Sequence, residues 1–132
     1  MDPLLRLVLY TAMLTWLTLL GAALIRAQAW TPRGLQLSFG NRDDLDPPTP
    51  LAGRAARTAV NTLENLVLFT AVALVAHATV PGSERVLLGA RIFFYSRILY
   101  VPLYVGGVKY VRSLTWTISI AGLAMMIAEA LG

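Results

Sequence analysis

Arg54, Arg57, Asn61 and Glu64 stand three, four and three residues apart in "RAARTAVNTLEN", residues 54–65. On a helix turning 100° per residue, that spacing places them on one stripe. A second stripe follows in "RILYVPLY", where Arg97, Tyr100 and Tyr104 are three and four apart and Pro102 predicts a kink. Arg112 and Ser113 come next, in "VRSLTW". If these segments share one end of a bundle, Arg57, Asn61, Glu64, Arg97, Tyr100, Tyr104, Arg112 and Ser113 form a cationic pocket holding one carboxylate. Guanidinium groups grip carboxylates through paired hydrogen bonds, and a carboxylate takes an ammonium. The matching ligand is a small zwitterionic peptide with surplus carboxylate.

Each residue also has a plainer role. Arg54 reads as an interfacial group that snorkels and sets topology. Asn61 and Glu64 would serve equally in a helix–helix hydrogen bond or a buried ion pair. Arg97 points to function, because an arginine flanked by apolar sequence is costly. Arg91 is either a second such group or a side chain reaching the outer interface. Tyr110 reads as a belt residue, and Trp16, Trp30 and Trp116 as anchors or packing. His77 reads as a solvated cap residue and Glu129 as an exposed helix end. Asp43, Asp44 and Asp46 read as a solvated loop run. With no cysteine and one histidine, the chain offers no disulfide, no thiol nucleophile and no metal centre.

The elements that must position these groups follow from composition. The 132 residues are 57% hydrophobic and 14% charged, whereas a soluble domain carries about 25% charged residues. A soluble core of this size could not hide so much apolar surface. Four stretches reach the roughly 20 apolar residues of a membrane helix: 4–25, 56–78, 86–105 and 114–131. The first is too long, and its "MDP" start too poor in basic residues, for a signal peptide. Between the first two lies the one long loop, 26–55, rich in proline, glycine and charge. The other links are short, which makes neighbours antiparallel. The expected fold is all-α, a single-domain integral membrane four-helix up-down bundle. Arg26, Arg33, Arg42, Arg54, Arg57, Lys109 and Arg112 gather at one end, which becomes cytoplasmic, with both termini opposite. The net charge of +4 is therefore topological, and no aromatic-basic pattern suggests nucleic acid.

"GNRDD", "RAARTAVNTLEN…F" at 54–69 and "SRILYVPLYVGGVKYVRSLTW" at 96–116 resemble the MAPEG family, the membrane-associated proteins in eicosanoid and glutathione metabolism. The likeness spans nearly the whole chain and leans to the family's bacterial branch, hence a bacterial inner membrane. It implies a homotrimer with glutathione between neighbouring subunits near the cytoplasmic face, and a lipophilic second substrate drawn from the lipid. Arg57, Asn61 and Glu64 would bind the polar ends of glutathione, and Arg97, Tyr100 and Tyr104 would line the pocket. Arg26 corresponds loosely to a basic residue that reaches a neighbour's site. Arg112 matches the arginine that holds the thiol as thiolate, and Ser113 a serine proposed to assist. Val60 and Leu68 depart from residues found in other members, Tyr100 from a histidine of the animal enzymes and Trp116 from a tyrosine of prostaglandin synthases, which tells against prostaglandin chemistry and leaves glutathione binding intact. The implied activity is that of a microsomal-type glutathione S-transferase or peroxidase.

Two other functions fit the same residues. A non-catalytic scaffold would use the fold to bind lipid or a partner. A small proton-coupled transporter would use Glu64 as its membrane carboxylate.

Overall fold

The computed structural model describes residues 1–132 and contains five helices and no strand: α1 (Pro3–Ala27), α2 (Pro32–Ser38), α3 (Pro50–Thr79), α4 (Glu84–Val105) and α5 (Lys109–Leu131). All but α2 are long and apolar enough to cross a membrane.

Local chemistry marks where these helices begin. Asp2 Oδ1 accepts the Leu4 and Leu5 amides at 2.8 and 3.3 Å, with Pro3 opening α1. Thr31 and Thr49 each precede a proline, and their hydroxyls accept the Gly34 and Ala52 amides at 3.0 and 3.1 Å. Such residues satisfy amide groups that the first helical turn leaves without partners. The segment expected as a loop therefore contains α2, and α3 starts at Pro50 rather than Ala56.

Four contacts fix the up-down order. At one end His77 Nδ1 lies 3.9 Å from Asp2 Oδ2, joining the end of α3 to the start of α1. At the same end, Glu129 of α5 accepts from Ser83 Oγ at 3.0 Å and pairs with Arg85 at 3.4 Å. Glu129, expected to be exposed, is thus tied to the start of α4, and its side chain is 27% exposed. At the opposite end Arg54 Nε donates to the Val105 carbonyl at 2.8 Å, closing the end of α4 from α3. Arg54 thus clamps α3 to the end of α4.

The bundle's two halves differ in chemistry. The half holding both termini carries the apolar core, including Leu4, Phe69, Ala73, Val86, Phe93 and Met126. Here Phe69 stacks on Phe93, with ring centroids 4.4 Å apart. Gly89 and Gly122 bring α4 and α5 so close that a Cβ on either would lie 2.6 Å from the other's carbonyl oxygen. Small residues permit such backbone approach in membrane bundles. In the other half the buried groups turn polar: Thr58, Thr62, Asn65, Ser96 and Arg97. The hydroxyls of Thr58, Thr62 and Ser96 donate to carbonyls one turn back, which satisfies them without opening the packing.

Candidate functional site

The polar half opens into a cleft of about 410 Å³ lined by Asn61, Tyr100, Tyr104, Arg112, Ser113, Trp116 and Thr117. Three helices build it. Asn61 comes from α3, the tyrosines from α4, and Arg112, Ser113, Trp116 and Thr117 from α5. Ser113, Trp116 and Thr117 are three and four residues apart, so one face of α5 supplies them.

Tyr104 joins the two cationic walls. Its hydroxyl accepts from Arg57 Nε at 3.3 Å, and its ring lies beneath the Arg112 guanidinium, 4.5 Å away. Tyr100 packs against Tyr104 with centroids 5.5 Å apart. Arg112 also donates from Nε to the Lys109 carbonyl at 3.3 Å, which holds its head over the tyrosine. Ser113 Oγ donates to the same carbonyl at 3.4 Å, a long bond that a better acceptor could replace. The cleft lining thus presents one cation, Arg112, with hydroxyls and no carboxylate, while Arg57 is not a lining residue and stands beside it on the Tyr104 hydroxyl.

Arg97 lies behind this wall. It is fully buried, its guanidinium faces the Tyr100 ring at 4.1 Å, and it is not part of the cleft surface. Its Nη2 donates to Asn61 Oδ1 at 2.8 Å and to Thr62 Oγ1 at 3.2 Å, while Nε and Nη1 have no partner. No carboxylate pairs with it.

Glu64 and Arg26 lie elsewhere. Glu64 is exposed on α3 and makes no hydrogen bond or ion pair within the chain. Two residues beyond buried Thr62, it lies about 160° round the helix from it. Arg26 lines a separate cavity of about 310 Å³ with Gln28, Thr31, Arg33 and Asp46. Arg91 is exposed on α4.

Sequence reading missed Trp116 and Thr117 as wall residues, and Thr62 and Asn65 as the layer behind. The helical spacing from Ser113 would have found the first pair. The second pair stands one and four residues after Asn61, and buried polar groups beside an arginine are a signal in themselves.

The MAPEG family profile matches residues 4–132, essentially the whole chain. The chain belongs to the MAPEG family. No curated protein and no solved structure shows significant similarity to it. With four helices suited to crossing a bilayer, this MAPEG chain is an integral, multi-pass membrane protein.

Proposed function

We propose that this MAPEG protein is a glutathione-dependent membrane transferase or peroxidase. The observation that carries the reading is Tyr104 held between two cations, Arg57 on its hydroxyl and Arg112 over its ring, beside a cleft that also offers Asn61, Tyr100 and Ser113. Family membership supports a glutathione-related ligand. The residues fit it: glutathione has two carboxylates and one ammonium, and the cleft, with Arg57 beside it, offers donors and cations.

Arg112 stabilises the thiol as thiolate, and Ser113 turns its hydroxyl from the Lys109 carbonyl to the sulfur. A free thiol ionises near pH 8.5, and the thiolate is the nucleophile. Bringing that value to about 6.5 takes about 2.7 kcal/mol of preference for the anion. One guanidinium in a poorly hydrated site supplies an effect of that size. With an electrophile, a carbon–sulfur bond forms and the displaced electron pair leaves with its group or takes a proton. With a lipid hydroperoxide, sulfur attacks the distal oxygen and the O–O bond breaks; the alkoxide takes a proton and leaves as alcohol, and the sulfur keeps the oxygen as a sulfenic acid. A second glutathione thiolate attacks that sulfur, forming the disulfide while the hydroxyl takes a proton and leaves as water. Lipophilic substrates reach the cleft from the bilayer, beside exposed Trp116.

The assembly is a homotrimer of single-domain chains. Glu64 supports this, because it stands about 20 Å along α3 from its start, among exposed Val60, Leu63, Val67 and Leu68. A charged residue at the centre of a span costs about 2.5–3.5 kcal/mol unless it finds a partner. A neighbouring subunit, together with the ammonium of glutathione, provides one. Arg26 reaches the neighbour's site from the end of α1. The cleft faces the cytoplasm of a bacterium, and both termini face outward.

Steady-state kinetics with glutathione and a model aryl halide separate the roles. Arg112→Ala should lower kcat about 30- to 100-fold and leave the KM for glutathione within about threefold. Arg57→Ala or Glu64→Ala should raise that KM about tenfold or more. Unchanged turnover in Arg112→Ala would refute the assignment.

A further inference from the structure

We infer that Arg97 is a positioning residue: it holds the Asn61 amide oxygen inward, so that Asn61 presents only its amino group, a donor, to the cleft. The inference rests on the glutathione reading for its ligand. It goes beyond that reading by removing Arg97 from the ligand's surface and assigning it to Asn61.

The hydrogen bonds leave one orientation. A guanidinium only donates, so the atom of Asn61 that lies 2.8 Å from Arg97 Nη2 is the oxygen. Asn65 Nδ2 adds a second donor to that oxygen at 3.4 Å and binds the Asn61 backbone carbonyl at 2.8 Å. Thr62 completes the layer. Its hydroxyl donates to the Thr58 carbonyl at 2.7 Å, so it accepts from Arg97 rather than competing for Asn61. Turning the amide over would set its amino group against a buried cation. The amino group of Asn61 makes no hydrogen bond within the chain, and Asn61 lines the cleft. It is therefore free for an acceptor on the ligand, such as a peptide carboxylate.

Arg97 itself cannot reach that acceptor. It is 0% exposed, and Tyr100, 4% exposed, covers it with its ring. Its influence passes through Asn61. The selectivity that results is for ligands bringing a carboxylate or carbonyl oxygen to this position, and against those bringing an amine.

Four variants of the full chain in detergent test this: Asn61→Ala, Asn61→Asp, Arg97→Gln and the double change Arg97→Gln with Asn61→Ala. Asn61→Asp keeps the shape and replaces the donor by an acceptor, so glutathione should bind at least tenfold more weakly. Arg97→Gln should weaken binding about fivefold alone and not further when Asn61→Ala is already present. Asn61→Asp binding as tightly as the natural chain would overturn the orientation. Effects that multiply in the double variant would mean that Arg97 touches the ligand itself. Should the natural chain not bind glutathione at all, the function proposed above fails, and unfolding midpoints decide the inference alone. Asn61→Asp should raise the midpoint with Arg97 present and lower it with Arg97→Gln. Equal changes in both backgrounds would sink it. If Arg97→Gln does not fold, Arg97→Met, also uncharged, replaces it in every arm with the same expected signs.

Discussion

Asn61 and Glu64 stand three residues apart, yet one lines the cleft and the other faces away from the chain. The stripe legible in the sequence drifts, because three residues turn a helix by 300° rather than 360°. That drift is enough to separate the two. Sequence spacing thus identified which residues are polar at depth and could not say which side of α3 each would face. It likewise found Arg97 and could not show that Tyr100 would cover it. Tyr104 links the two cations beside the cleft. Tyr104→Phe removes the hydroxyl that accepts from Arg57 and keeps the ring beneath Arg112. A hydrogen bond of this kind contributes about 0.5–1.5 kcal/mol. Calorimetry should therefore show glutathione affinity reduced about two- to tenfold, with the unfolding midpoint little changed.

The long helices were legible because about 20 apolar residues can satisfy their backbone in lipid only as helix. Helix α2 was not, because seven residues carry too little periodicity to stand out from a loop rich in proline and glycine. The start of α3 was hidden in the same way, although Thr49 followed by Pro50 carries the chemistry of a helix cap. The two halves of the bundle predict separable effects. Phe69→Ala empties a fully buried ring site in the apolar half and should destabilise by about 3–5 kcal/mol. Any folded fraction should keep its glutathione affinity, since Phe69 is not part of the cleft. Gly122→Val sets two added methyl groups and a Cβ against the Gly89 carbonyl and the Phe93 amide, which cannot yield without parting α4 from α5. It should lower the unfolding midpoint, and a scan of detergent-solubilised protein checks both variants.

At the scale of the whole molecule, basic residues gather at the end where the cleft opens, and the apolar core lies at the other. The cytoplasmic orientation proposed for the cleft rests on this asymmetry. The chain has no cysteine, so single introduced thiols report without background. In sealed inverted vesicles a membrane-impermeant maleimide should label Gly40→Cys and spare Gly132→Cys. Native mass spectrometry should find three copies per particle. Trimer mass should survive Glu64→Ala, because the exposed apolar residues Val60, Leu63, Val67 and Leu68 remain to pack against a neighbour, while glutathione affinity falls, because Glu64 is assigned to the ligand's ammonium.

Arg112 is proposed to turn a bound thiol into a thiolate. The ultraviolet absorbance of the thiolate, read at neutral pH on purified protein saturated with glutathione, tests it with Arg112→Ala alongside. The natural protein should show a thiolate band that the variant loses, with binding retained. Glutathione bound without a thiolate band, or a band that persists in Arg112→Ala, would contradict it.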